Sequence, residues 1–250
     1  MELEKDLVYG PVRSRRFGWD VGINLLPSNR KLCTFDCVYC QYGFVGHGAE
    51  GVVQFPDVED VLRQWKKKLI DTQDQGLRVR HTTLAGNGEP TMHPQFPLLV
   101  ERLVRWRNES APYIRLAVLS NGYRIHIPEI RYALSLIDEP VLKLDAGDPR
   151  KLSEINQPLV RFDLSTYVEN LKRLSHVILQ TMFLKGWNDN PEDLRAWMEI
   201  IGKVRPESVQ IYSIDRHPAM PGLQSLTPDE LQMISRNASI STGVPVHAYL

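Results

Sequence analysis

Short runs of β-branched and aliphatic residues alternate along this chain with longer stretches whose apolar positions recur every three to four residues. That alternation predicts parallel strands joined by right-handed helical crossovers. Seven strands are expected, near Asp20–Leu25, Val79–Ala85, Tyr113–Leu119, Pro140–Asp145, His176–Leu184, Ser208–Ser213 and Pro245–Tyr249. Between them the spacing predicts helices near Asp57–Gln73, Gln95–Asn108, Pro128–Ile137, Ser165–Leu174, Glu192–Val204 and Thr227–Ser239. Start signals support several of these. Asp57 precedes an apolar-periodic run, Pro191 suits a first turn, and Thr227-Pro228-Asp229-Glu230 reads as a capping residue followed by Pro and a Glu at the third position.

The expected fold class is therefore α/β: a partial, TIM-like (β/α)6 barrel with a parallel sheet, in which the loops leaving the C-terminal strand ends build the site. No repeat, low-complexity tract or flexible linker marks a second domain, so residues 1–250 are expected to form one, with an N-terminal extension over 1–19. A chain of 250 residues has ample surface to bury. Lys plus Arg and Asp plus Glu number 30 each, so the zero formal net charge provides no global field for polyanions or anionic lipid. The N-terminus lacks a charged stretch followed by an apolar core, and no later apolar run has the length of a membrane span. No membrane partner is expected, and the chain reads as cytoplasmic.

Candidate chemistry begins with cysteine. All three cysteines lie in Cys33-Thr34-Phe35-Asp36-Cys37-Val38-Tyr39-Cys40, a C-x3-C-x2-C spacing that lets three thiolates converge on one site. Their odd number and crowding argue against a disulfide framework, and reduced thiols suit a reducing compartment. Ordinary iron–sulfur clusters and structural zinc take four donors. Either a fourth ligand lies elsewhere, as in a zinc knuckle completed by His47, or one coordination position stays open. Three buried thiols acting as small apolar residues are the plainest alternative.

The expected strand ends carry the remaining candidates. The second strand runs into Ala85-Gly86-Asn87-Gly88-Glu89-Pro90-Thr91, the third into Ser120-Asn121-Gly122, and the fourth holds Lys143 and Asp145. The fifth holds Gln180 and Thr181; the sixth holds Gln210, Tyr212 and Ser213. Glycines in such a turn let backbone approach a ligand, and Glu89 beside them suits an ammonium group. A phosphate loop is disfavoured, because no Lys-Ser or Lys-Thr follows the glycines. Arg13, Arg15 and Arg16 precede the first expected strand, and Arg216 and His217 follow the sixth. All five are candidate substrate contacts, the arginines for a phosphate or carboxylate.

The cysteine loop, the aromatic Tyr39 immediately before its third cysteine, and Gly86-Asn87-Gly88-Glu89-Pro90 together resemble the radical S-adenosylmethionine (SAM) superfamily. Residues Tyr9–Gly18, Asp145–Pro158 with Ile155-Asn156-Gln157-Pro158, and Thr181–Asn188 are similar to a subgroup related to the wyosine-type tRNA synthetases. The resemblance implies that Cys33, Cys37 and Cys40, in a loop spanning 26–55, bind three irons of a [4Fe–4S] cluster. The fourth iron is left for the amino and carboxylate groups of SAM. By the same likeness Glu89 with the backbone of Gly86, Asn87 and Gly88 holds the methionine ammonium, and Tyr39 contacts the adenine. Ser120, Asn121, Lys143 and Asp145 orient the carboxylate and ribose, with Gln180 and Tyr212 counted among the cofactor contacts. An external donor of flavodoxin or ferredoxin type supplies an electron that cleaves the sulfonium, and the resulting 5′-deoxyadenosyl radical removes a substrate hydrogen. Such an enzyme is oxygen-sensitive.

Where the superfamily has Gly-Gly-Glu this chain has Asn87 and Gly88 before the Glu, and no cysteine remains for a second cluster. The expected substrate is a tRNA nucleoside or a small metabolite. The reading from a different class is a zinc- or cluster-binding RNA-interaction module without catalysis.

Overall fold

In the computed structural model, which describes residues 2–46 and 53–250, eight strands form one sheet in the order β1 to β8. They are β1 (Val8–Ser14), β2 (Gly18–Ile23), β3 (His81–Leu84), β4 (Arg115–Ser120), β5 (Glu139–Lys143), β6 (Ile178–Met182), β7 (Ser208–Tyr212) and β8 (Val246–Ala248). From β2 onward all neighbours are parallel, whereas β1 runs antiparallel to β2. The antiparallel edge strand departs from the expected all-parallel sheet. Its sequence, Val8-Tyr9-Gly10-Pro11-Val12, contains two residues that normally interrupt strands. An edge position and a register shift between Tyr9 and Val12 accommodate them.

Six crossovers link β2 to β8 among the described residues. They run through α1 (Val58–Asp74), α2 (Phe96–Ser110), α3 (Pro128–Ser135), the pair α4 (Pro149–Asn156) and α5 (Leu164–Leu171), α6 (Pro191–Val204) and α7 (Pro228–Thr242). Asp57, Asp148, Asp163, Asn190 and Thr227 cap helix starts with their side chains, and Thr227 with Glu230 completes a capping box. Each helix turns an apolar stripe onto the sheet. Two tryptophans show the fit: Trp65 of α1 and Trp197 of α6 are fully buried, and each indole N–H donates at 2.9 Å to a buried threonine, Thr82 and Thr181 respectively. Truncating an aromatic in such a position costs about 3–5 kcal/mol.

Alternation along the strands sorts the two faces of the sheet. Val21, Ile23, Leu179, Val209 and Ile211 join the helix-side core, so Asp20, Gly22, Gln180 and Gln210 face the concave interior. Phe17, Ala117, Val141 and Ile178 pack together inside as an apolar floor. The order of pairing ends at β1 and β8, so this partial TIM barrel has an open side. Among the described residues, no helix is long and apolar enough to cross a membrane.

Candidate active site

The loop after β2 carries the cysteines, and the backbone holds it from two sides. On one side Leu32 pairs with the turn after β3: its N–H donates to the Asn87 carbonyl at 2.8 Å, and its carbonyl accepts from the Glu89 N–H at 2.9 Å. Gly88 makes this possible. Its φ is +141°, and a Cβ there would lie 1.8 Å from the Leu32 carbonyl oxygen. A Cβ on Gly86 would likewise lie 2.4 Å from Asn24 Oδ1. The close backbone approach that these glycines permit is thus to the protein's own cysteine loop. On the other side Val38 N–H donates to the Ile155 carbonyl at 2.9 Å, Asp36 N–H to Asn156 at 3.0 Å, and Leu159 N–H to Thr34 at 2.9 Å. Met220 N–H closes the seat on the Val38 carbonyl at 2.8 Å.

Lys31 is buried under this loop. Its ammonium donates to Asp36 Oδ1 at 3.2 Å and to the Gly43 carbonyl at 2.6 Å. Burial alone would lower its pKa; Cys40, Cys33 and Asp36 outweigh burial and hold it above its ordinary value, so a fixed cation sits beside the thiols. Two side-chain amides face the sulfurs. Asn121 Nδ2, past the end of β4, is 3.6 Å from Cys33 Sγ, and Asn156 Nδ2, at the end of α4, is 3.3 Å from Cys37 Sγ. Burial foremost pushes the Cys33 thiol well above its usual value, and Cys37 to about 11. Left alone these groups are neutral thiols; a coordinated metal deprotonates them outright.

The donor set suits an iron–sulfur cluster. Sulfur ligands select zinc or iron–sulfur centres. Among the described residues no three Cys, His, Asp or Glu side chains are arranged to hold a metal ion. Three half-buried free thiols in one loop supply three of the four ligands that a [4Fe–4S] centre takes. His47, the fourth ligand of the zinc reading, lies outside the described residues, as do the other residues of 47–52 within the expected 26–55 loop.

Glu89 faces β4. It is 2% exposed, and its Oε1 accepts from the Thr91 N–H (3.1 Å), Thr91 Oγ1 (2.6 Å) and Ser120 Oγ (2.7 Å), while Oε2 accepts from the Asn121 N–H (2.7 Å). Burial raises its pKa, and these four donors oppose the rise. The carboxylate ties the ends of β3 and β4 together. Asn87 points elsewhere: its side chain accepts from the Glu4 N–H at 2.8 Å and donates to the carbonyls of Glu4 and Pro27, both at 2.9 Å. This clamp on the N-terminal segment explains an Asn where the superfamily has Gly.

Past the end of β5, Asp145 is fully buried and gathers donors from four elements. Tyr39 donates its hydroxyl to Oδ2, Asn156 Nδ2 reaches Oδ2 at 2.6 Å, and the Met182 N–H reaches Oδ1 at 2.7 Å. Lys143 Nζ is 3.7 Å from Oδ1 and donates at 2.5 Å to Tyr212 Oη, which in turn donates to Gln180 Oε1 at 3.1 Å. Burial would lower the Lys143 pKa, but Asp145 and then Tyr212 raise it, so the ammonium stays charged between the Tyr39 and Tyr212 rings, 4.9 and 4.8 Å away.

The arginines divide. Arg16 lies over the Phe17 ring at 5.5 Å and the Tyr212 ring at 5.8 Å. Arg15 pairs with Asp215 at 3.6 Å, and Arg216 donates to Gln41 at 2.6 Å, so the β1–β2 turn and the segment after β7 approach each other beside the cysteine loop. Arg13 is exposed on β1 opposite Trp19, and His217 is exposed. The structure does not gather these two with the others.

Comparison with known proteins supplies the family. Residues 31–199 match the profile of the Radical SAM superfamily. The chain belongs to the radical SAM superfamily. Its fold is similar to a radical SAM methyltransferase from Sphaerobacter thermophilus, with TM-score 0.69 and 15% identity over 92% of this chain and 65% of that one. It is also similar to TYW1 with a lysine-pyruvate adduct bound, with TM-score 0.65 and 17% identity over 89% of this chain and 74% of that one. In sequence the chain is 26% identical over 253 residues to a protein named GTPase Obg from Brachyspira hyodysenteriae, covering 98% of this chain and 36% of that protein. It is 28% identical over 235 residues to a UPF0026 protein of Helicobacter pylori, covering 90% and 71%. An S-adenosyl-L-methionine-dependent tRNA 4-demethylwyosine synthase of Arabidopsis thaliana is 26% identical over 144 residues, or 56% of this chain and 21% of that one. The chain thus spans about a third of the Brachyspira protein.

Radical SAM enzymes use a [4Fe–4S] cluster and SAM, and among the neighbours Streptococcus suis SuiB is bound to S-adenosylmethionine. Membership of the radical SAM superfamily, not the likeness to SuiB, marks the chain as an enzyme. Sequence reasoning left Lys31, Asn24, Asn156 and Asp20 out of the site. Asn156 lay within the quoted Ile155–Pro158 segment, and Asp20 shows as a charged residue at an inward strand position; both were visible signals.

Proposed function

We propose that this radical SAM enzyme holds its [4Fe–4S] cluster through Cys33, Cys37 and Cys40, and binds SAM against the ends of β3 to β7. Bound there, the cluster and SAM supply one-electron cleavage of the sulfonium and abstraction of a hydrogen atom from a further substrate. The observation that carries this reading is the pair of amide donors, Asn121 on Cys33 and Asn156 on Cys37, delivered from two separate elements to two sulfurs of one loop.

The remaining residues divide the work of binding. The backbone of Gly86, Asn87 and Gly88 receives the methionine ammonium, with Glu89 as the brace that fixes that turn between Thr91, Ser120 and Asn121. Lys143, kept cationic by Asp145, meets the carboxylate, and the Tyr39 ring offers a face to the adenine. Tyr212 accepts from the Lys143 ammonium and is itself held by donating to Gln180. Residues 1–250 act as one domain. An electron donor of flavodoxin or ferredoxin type reduces the centre, which makes the enzyme oxygen-sensitive and suits a cytoplasmic setting. The substrate is a tRNA nucleoside or a small metabolite; the likeness to tRNA 4-demethylwyosine synthase supports the first.

Anaerobic reconstitution of the full chain tests the reading. About four irons per chain are expected, with 5′-deoxyadenosine formed on addition of dithionite and SAM. Zinc without iron, or a loaded centre that yields no 5′-deoxyadenosine, overturns it.

A further inference from the structure

Among the described residues, two opposite charges of the partial barrel, Arg16 and Asp20, have no ion-pair partner. The Arg16 guanidinium carries five N–H donors, yet among the described residues it makes neither a hydrogen bond nor an ion pair and only overlies the rings of Phe17 and Tyr212. Asp20, 5% exposed, accepts at Oδ2 from the Thr83 hydroxyl at 2.6 Å, while its buried Oδ1 makes no hydrogen bond among the described residues. Arg16 and Asp20 sense each other's charge but do not pair. Burial shifts both away from their charged forms, lowering the first and raising the second to about 6. A buried acceptor without a hydrogen bond is costly, and one that lies beside a cation with no ion-pair partner marks a place that something else completes.

We propose that this enclosure is the substrate position: Arg16 grips a carboxylate or phosphate of the substrate, and Asp20 Oδ1 accepts from a hydroxyl or amino group on the same molecule. The inference deepens the radical SAM reading above and rests on it for the identity of the neighbouring site. Three features shape the ligand. A guanidinium held near the rings of Phe17 and Tyr212, without a hydrogen bond or ion pair among the described residues, keeps its N–H donors available for a two-pronged acid. Phe17, Ala117, Val141 and Ile178 close the floor with apolar surface, which favours a compact organic acid over a hydrated inorganic ion. Tyr212 carries Arg16 on its ring and Lys143 on its hydroxyl, so the acid group lies one side chain from the proposed SAM pocket, where a hydrogen must be within reach.

The test is calorimetry on the cluster-loaded full chain with glycolate, its neutral isostere glycolamide, and inorganic phosphate. Saturable binding of glycolate but not glycolamide is expected, weakened about tenfold or more in Arg16→Gln and less in Arg16→Lys, which keeps the charge but loses the fork. Asp20→Asn is expected to weaken glycolate more than phosphate. Phosphate binding tighter than glycolate assigns the acid to a phosphorylated substrate; the reverse assigns it to a carboxylate. No saturable binding of either anion to the wild type, equal binding of glycolamide, or undiminished binding in both Arg16 variants overturns the inference. Iron content and 5′-deoxyadenosine, read on the same wild-type sample, report the cofactor reading separately.

Discussion

The hydroxyl of Tyr39 is donated to the carboxylate of Asp145, 106 residues further along the chain. One bond joins the residue preceding the third cysteine to the end of β5, and Asn156 and the Met182 N–H complete the shell around the same acid. Tyr39→Phe keeps the ring and removes one donor from a buried carboxylate. A loss of about 1–3 kcal/mol is expected in anaerobic urea denaturation. The affinity for SAM, if the ring face is what it uses, is expected to change far less than in Tyr39→Ala.

Glu89 accepts four hydrogen bonds across the β3–β4 boundary, so its removal leaves Ser120, Thr91 and the Asn121 N–H without an acceptor. Glu89→Ala is expected to cost about 3 kcal/mol and to weaken SAM binding while iron content is retained. Cys37→Ala is expected to abolish cluster assembly. Iron analysis beside SAM titration separates the two outcomes.

The amide of Asn156 donates to Cys37 Sγ. Donors to cluster sulfurs stabilise the more negative, reduced state, so Asn156→Ala is expected to lower the cluster's reduction potential by tens of millivolts. A redox titration followed by electron paramagnetic resonance reads this directly. An unchanged or raised potential would count against the sulfur contact.

Asp20 links stability to pH. Its folded pKa of about 6 lies above the ordinary 3.8, so between those values the folded state holds a proton that the unfolded state has released. Stability therefore falls as pH rises through that window, by about 3 kcal/mol in all. Asp20→Asn is expected to remove that slope in denaturation series run from about pH 4 to 7. A slope unaltered by the substitution would refute the assignment.

Gly88→Ala places a methyl group 1.8 Å from the Leu32 carbonyl oxygen at a backbone φ of +141°. The Leu32 pairing is expected to break, so that iron retention falls while far-ultraviolet circular dichroism keeps the signature of the sheet and helices. Full iron loading in this variant would show that the pairing does not position the cysteines.

The alternation of apolar runs made β2 to β8 and six of the helices legible, because each lies in a stretch with enough apolar positions to show a period. Two elements escaped. Strand β1 is interrupted by Gly10-Pro11, which only its edge position tolerates, and α4 offers just Leu152 and Ile155 among charged and polar residues, too few apolar positions for its period to stand out. The site divides the same way. Cysteine spacing and polar strand ends are local and readable. That Gly88 admits Leu32, that Glu89 spends its oxygens on β4, and that Asp20 Oδ1 makes no hydrogen bond among the described residues depend on long-range packing with no local signature.

Backbone hydrogen bonds join Leu32, Thr34, Asp36 and Val38 of the cysteine loop to the turn after β3 on one side and to the last turn of α4 and the chain just after it on the other. The three thiols thus hang from two independent fastenings, one on each flank of the loop. Loosening either flank alone leaves the other in place, so damage on one side moves some of the sulfurs and spares the rest.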